Sequence, residues 1–433
     1  MANKILSYEL APSPATIFGC LLPAPWIGAV AGLLLAFGPA EGVPSRFAPL
    51  VLAVTHVLAL GMLAPIMIGA LFQLFPVVAG QAVPSAKKIS PFVALASFGV
   101  SLSLTFGFLY GDRIAFILAM LIASLIYGAV VCALALAAWR MVLPTHHDAS
   151  LLTLRWIAWS LLMVLGLGVA LAGGFAGAWE INLTAVLTRH VAWAGLGWVA
   201  ALVSGIASTV VPMFWQSPKP SARWHQSVPV VLWLLLMLMT LFDSQDGIPY
   251  WTILLALVVM CLAAFAFKNV MKAKRRFDPA WTLWVACVLS WFSSAMLYLM
   301  LAVPHDYLPA FFIDASPWWI GVLGLVGGAV FPVNAMLGKI IPFLVFLHLR
   351  RQIPTPQRIP TMQEVILPQH LRIQARLVVV ALLGLLMVPV APSIILPLAG
   401  SIFAASQMLI GALILRALFR YRHELKRVIF AKN

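Results

Sequence analysis

Charged residues are scarce in this chain. They make up 9% of its 433 residues, and only 12 are acidic against 27 Lys and Arg. A soluble protein carries about a quarter charged residues, so a soluble globular fold is excluded. Cysteine is nearly absent as well. Cys20, Cys132, Cys261 and Cys287 fall in four different apolar segments with no CxxC spacing. That argues against a disulfide framework or a zinc site, and the four read as small packing residues. Long polar linkers are also missing. The longest polar stretch, about residues 348–371, is interrupted by prolines, which argues against a separate folded domain.

What the chain has in abundance is apolar sequence: 63% hydrophobic residues and a mean hydropathy of +1.04. A helix needs roughly 20 apolar residues to cross a bilayer. About twelve such segments are present, centred near 15–37, 47–79, 90–111, 114–139, 152–175, 182–215, 226–242, 250–270, 280–303, 317–347, 372–391 and 396–418. The runs are continuous, whereas barrel strands would alternate with period two. The expected fold is an all-α polytopic membrane protein forming a single domain over 1–433. The first segment follows Lys4 and Glu9 without the pattern of a cleavable signal, and is expected to stay in the membrane.

The net charge of +15 follows topology. If the N-terminus is cytoplasmic, the loops on that side hold Lys87, Lys88, Arg140, Lys268, Lys272, Lys274 to Arg276, Arg350, Arg351 and the basic tail from Arg416 to Lys432. The opposite loops hold Glu41, Asp112, Glu180, Asp243, Asp246, Asp306 and Asp314, with Arg46, Arg113 and Arg189 as their bases. This is the positive-inside pattern, and it puts both ends in the cytoplasm. The basic charge therefore implies contact with anionic lipid and no nucleic-acid partner.

An internal repeat runs through the segments. The second carries Gly61, Gly69 and Pro76; the sixth carries Gly197, Gly205 and Pro212; the tenth carries Gly327, Ala335 and Pro342. The spacing is the same each time, and the prolines lie 136 and then 130 residues apart. Four helices separate each copy from the next, a 4+4+4 pseudo-threefold arrangement. Its units are approximately 15–79 with the C-terminal helices, 90–215 and 226–347. Small residues let helix backbones approach and the prolines bend them, so these three helices are expected inside and the other nine outside. Gln73, Thr209 and Lys339 each stand three residues before the repeat proline. They read as interhelical hydrogen bonds and a snorkelling lysine, or as a polar track on the cytoplasmic side.

Nine histidines are present. His146, His147, His225, His305, His348, His370 and His423 lie in loops, at helix ends or in the tail, where solvated histidines are usual. His56 and His190 instead sit about nine residues inside the second and sixth apolar segments, roughly 13 Å below the outer surface. Each precedes a glycine by five residues, in HVLALG and HVAWAG. An imidazole in hydrocarbon is costly without a partner, and neutral imidazole ligates haem iron and copper. Arg46 and Arg189, near the external helix ends, are placed to hold haem propionates or simply to anchor at the interface. Trp193, Trp318 and Trp319 fit an external aromatic belt.

Twelve helices, cytoplasmic ends, the repeat and the histidines on helices two and six resemble the catalytic subunit I of haem-copper oxidases. HVLALGMLAPIMIGALFQLFPVVAG and NAMLGKIIPFLVFLHLR further resemble motifs of oxidase-subunit-I-like membrane proteins of proteobacteria. The resemblance implies a multi-pass protein of the bacterial inner membrane. By position it makes His56 a haem ligand and His190 a ligand of copper or of haem iron. The pattern departs from the family elsewhere. The seventh segment, HQSVPVVLWLLLMLMTLF, has only His225, and SPWWIGVLGLVGGAVF at the start of the tenth has no histidine. The family's full haem-copper centre cannot be assembled from these residues.

The expectation is a haem-binding membrane protein, with haem b held by His56 and His190 or a five-coordinate haem on each, and copper at His190 as the lesser alternative. It would serve in electron transfer, or in handling or sensing nitric oxide or oxygen, together with a redox partner protein. If it is an enzyme it is an oxidoreductase, though not a complete oxygen-reducing oxidase. Met296 and Met300 are alternative sixth ligands. A secondary transporter and a cofactor-free structural or assembly protein are the competing classes.

Overall fold

The computed structural model describes residues 10–142, 149–219, 222–242, 250–353 and 357–430. Among these residues every regular element is helical. The chain is an all-α polytopic membrane protein. Eleven helices are long and apolar enough to cross a membrane: α1 (Pro14–Phe37), α2 (Pro49–Ala79), α3 (Ala86–Tyr110), α4 (Arg113–Arg140), α5 (Ala149–Phe175), α6 (Leu183–Trp215), α8 (Tyr250–Met271), α9 (Pro279–Met300), α10 (Ala310–Gln352), α11 (Pro368–Met387) and α12 (Pro392–Arg427). Between α6 and α8 lies α7 (Ala222–Phe242), whose fully described apolar part, Ser227–Phe242, is shorter.

The packing order separates two groups of helices. Helix α12 packs on α1, α3 on α4, α4 on α5, α8 on α9 and α11 on α12. The pairs α1–α3, α5–α7, α7–α8 and α9–α11 close the remaining steps, so nine helices follow one another as a belt. Large apolar side chains are exposed on them, among them Leu121, Leu125, Leu254, Leu383 and Leu398. In a membrane these meet lipid. Of the three repeat helices α2 and α10 are the most buried spans, with Phe72, Phe75, Met62 and Phe331 sealed in the core, whereas α6 is no more buried than α3, α5, α9 or α11.

Each repeat helix changes from α to π geometry partway along: at Val57–Leu63 in α2, Trp193–Ala200 in α6 and Leu323–Val330 in α10. From Val57 to Trp193 is 136 positions and from Trp193 to Leu323 is 130, the intervals that separate the prolines. A π turn widens the helix and weakens its hydrogen-bond ladder. In hydrocarbon a loosened carbonyl needs a partner. Each copy receives one from a neighbouring helix. Tyr127 Oη of α4 donates to Leu60 O at 3.4 Å. Trp233 Nε1 of α7 donates to Gly197 O at 3.1 Å, and Trp291 Nε1 of α9 to Gly328 O at 3.1 Å.

The repeat glycines mark close approaches. A Cβ on Gly205 would fall 1.9 Å from Thr153 Oγ1 of α5, and one on Gly327 would fall 2.1 Å from Ser290 Oγ of α9. The tryptophans expected in an aromatic belt are interhelical pins instead. Trp193 is fully buried and donates to Thr240 Oγ1 at 2.9 Å. Trp318 Nε1 and Trp319 Nε1 donate to Leu385 O and Leu386 O of α11 at 2.7 and 2.8 Å. Their N–H groups are satisfied by backbone rather than by the lipid interface.

Candidate functional site

His56 is the last α-helical residue of α2 before its π segment begins. Its Nδ1 lies 2.8 Å from Leu52 O, one turn back. A carbonyl only accepts, so Nδ1 carries the proton and Nε2 keeps its lone pair. The ring is tilted against Phe108 of α3, with centroids 5.1 Å apart. Phe108 meets Phe116 of α4 and Phe175 of α5 edge-on, at 5.2 and 5.8 Å, and those two rings stack at 5.2 Å. An aromatic wall from α3, α4 and α5 thus closes the side of α2 that carries the histidine.

His190 lies three residues before the π segment of α6 and rests on α5. Gly168 makes room for it: a Cβ there would come 3.2 Å from His190 Cε1. The backbone of Val164, one turn away, lies beside the ring. His190 Nδ1 is buried without a hydrogen-bond partner, and so is Nε of the adjacent Arg189. The imidazoles of His56 and His190 lie close enough to interact electrostatically. Two half-buried imidazoles from two repeat helices therefore face the α3–α5 wall, His56 against Phe108 and His190 beside Gly168.

The other sequence candidates go elsewhere. Arg46 is exposed in the loop before α2, its guanidinium 4.7 Å over the Phe47 ring. Met296 and Met300 are exposed on α9. His348, expected to be solvated, is 5% exposed, with Nε2 unpartnered. His146 and His147 lie outside the described residues. The two HxxxxG matches are unequal: Gly61 is crowded by Ile27 and Ser101, whereas Gly195 has nothing within 4 Å of a built Cβ. By packing and repeat register, the counterpart of Gly61 is Gly197.

Toward the end of the repeat helices away from His56 and His190, Gln73 and Thr209 line one cavity. Thr209 Oγ1 is 2.8 Å from Ser150 Oγ. Lys339 turns instead to α9, where it pairs with Asp278 and lies 5.7 Å from the Trp215 ring. Asp278 was not singled out from sequence, although Asp-Pro at a helix start is an N-cap signal. Ser150 carries no comparable signal.

No group of three or more His, Cys, Asp or Glu placed to hold a metal ion occurs among the described residues. Two imidazoles are too few donors for a bare copper or zinc ion, which usually takes three or four protein ligands. They match a metal that brings its own equatorial ligands, as haem iron does. The orphaned His190 Nδ1, the free Nε2 of His56 and the unpartnered Arg189 Nε fit that donor set. No protein-family model and no curated protein matches the chain.

Proposed function

We propose that this chain is a haem-binding membrane protein of the oxidase subunit I type, acting in electron transfer or diatomic-gas handling in a bacterial inner membrane. The observation that supports the reading is that His56 and His190, two intramembrane imidazoles from different repeat helices, lie within electrostatic range of each other, each with one ring nitrogen unpaired. Such residues are functional candidates by default, because hydrocarbon offers them no solvation. In this reading His56 and His190 would hold one haem b. Bound haem would supply one-electron redox chemistry and, where only one of the two histidines engages it, binding of nitric oxide or oxygen.

The protein's own residues set the conditions for that chemistry. Leu52 O fixes the tautomer of His56 and aims Nε2 away from its own helix. Phe108, Phe116 and Phe175 keep water from the α2 side. The Arg189 guanidinium is the nearby cation for a propionate. Arg46, exposed on Phe47, has no such part here.

The test is an optical spectrum of protein purified from haem-replete cells, with and without dithionite and nitric oxide. A Soret band is expected that weakens in both His56→Ala and His190→Ala. A colourless, iron-free preparation would sink the reading. Substrate-dependent uptake into vesicles by such a preparation would point to a transporter instead.

A further inference from the structure

A second feature lies at the other end of the repeat helices. Gln73 stands 17 residues after His56, roughly 25 Å further along α2. There α2, α6 and α10 part to leave a cavity of about 160 Å³. Its walls are almost wholly apolar: Met67 and Ala70 of α2, Ala207 of α6 and Met336 of α10, with Trp284 of α9 at one side. Small side chains at 70 and 207 leave the space that larger residues would fill.

Besides the indole N–H of Trp284, which is buried without a partner, the wall carries two polar side chains, in equivalent repeat positions. Thr209 is engaged by Ser150. Gln73 is not: it is 9% exposed, and its Oε1 is buried with no hydrogen-bond partner. A buried, unpaired carboxamide oxygen is costly unless something else satisfies it. Water alone suits the space poorly, since it makes no hydrogen bonds to the Met, Ala, Leu and Val side chains that form most of the lining. An ion suits it no better, because the nearest cation by sequence, Lys339, is paired with Asp278. An apolar cavity of about 150 Å³ is large enough for a benzene ring.

We propose that this cavity binds a lipophilic molecule of phenol size carrying one hydroxyl group. The ring lies among Met67, Met336 and Trp284, and the hydroxyl donates to Gln73 Oε1. The site is separate from the histidine pair and does not depend on haem.

The test uses the full-length protein in detergent and fluorine NMR titrations with 4-fluorophenol and with 4-fluorotoluene, which has a methyl in place of the hydroxyl. Saturable binding of 4-fluorophenol is expected, about tenfold tighter than 4-fluorotoluene. Gln73→Leu is expected to erase that preference while 4-fluorotoluene still binds, which also shows that the variant is folded. Ala207→Phe, which fills the cavity, is expected to abolish binding of both. Non-saturating partition unchanged by Ala207→Phe would overturn the proposal, as would equal affinities of the two probes for the wild type.

Discussion

Lys339 of α10 donates to Oδ2 of Asp278, the residue that caps the N-terminus of α9. The other carboxylate oxygen, Oδ1, accepts from Ala280 N at 3.0 Å. One side chain therefore starts a helix and neutralises a lysine at the end of the bundle away from the histidine pair.

Removing Asp278 strands that lysine. Asp278→Ala is expected to cost about 2–4 kcal/mol, from a lost cap and an unpaired, mostly buried charge. The pair is 17% and 13% exposed, which keeps the loss below that of a fully buried one. Asp278→Asn retains a capping oxygen and should cost less. Adding Lys339→Met to Asp278→Asn should recover most of the difference. Thermal unfolding midpoints in one detergent check this, and failure of the double variant to recover would count against the pairing.

Gly168 tests the histidine pair without altering either ligand. Gly168→Val places carbon against His190 Cε1, where a Cβ already comes within 3.2 Å. The haem-to-protein ratio should fall several-fold. Gly166→Val is the control, since a Cβ there meets nothing within 4 Å. Equal haem content in the two variants would show that the His190 ring position is immaterial.

The seam between α1 and α12 is held by backbone contact. A Cβ on Gly32 would lie 2.5 Å from Ala404 N and 2.7 Å from Gly400 O, and backbone atoms cannot swing aside. Gly32→Ala is expected to destabilise by about 2–3 kcal/mol. Gly195→Ala, facing open space, should be neutral within about 0.5 kcal/mol. Comparable losses in both would contradict this account of the seam.

The tryptophan donors to the π segments should matter in proportion to the carbonyls they satisfy. Trp233→Phe and Trp291→Phe are each expected to cost about 1–2 kcal/mol. Trp139→Phe, at a position 82% exposed, should cost almost nothing. Unfolding midpoints of the three variants decide it.

The loop between α10 and α11 carries a pH-sensitive clasp. Glu364 accepts from the Thr361 backbone N–H at 2.8 Å and from Arg358 at 2.8 Å. The Thr361 backbone bond, more than the hydroxyl of Thr361 or the charge of Arg358, holds its carboxyl below the ordinary glutamate value of 4.5. A lowered folded value means that the clasp is complete above the ordinary glutamate range. It is lost as pH falls through the lower folded value. A spin label at Gln363, with Cys132 and Cys261 first replaced, should stay immobile down to about pH 5 and loosen only below the glutamate range. Glu364→Gln should flatten that response.

Much of this was readable in one dimension. The membrane class and the helix positions follow from apolar runs, which are local sums over neighbouring residues. Gly205, Gly327 and the three prolines announced the inner helices through spacing alone. His56 and His190 stood out because hydrocarbon penalises an imidazole wherever the chain folds. Gly61 shows the limit. The HVLALG and HVAWAG strings match it with Gly195, the repeat spacing matches it with Gly197, and the packing follows the repeat.

The sequence by itself determined what must lie in the membrane, and which few polar residues had to be accommodated there, because transfer energy depends on residue type. Tertiary structure decided who accommodates them. It brought His56 within electrostatic range of His190 and against Phe108, gave the π-segment carbonyls to Tyr127, Trp233 and Trp291, and turned Lys339 away from Gln73 to Asp278. Each of these pairs joins different helices, so its geometry exists only once those helices have packed.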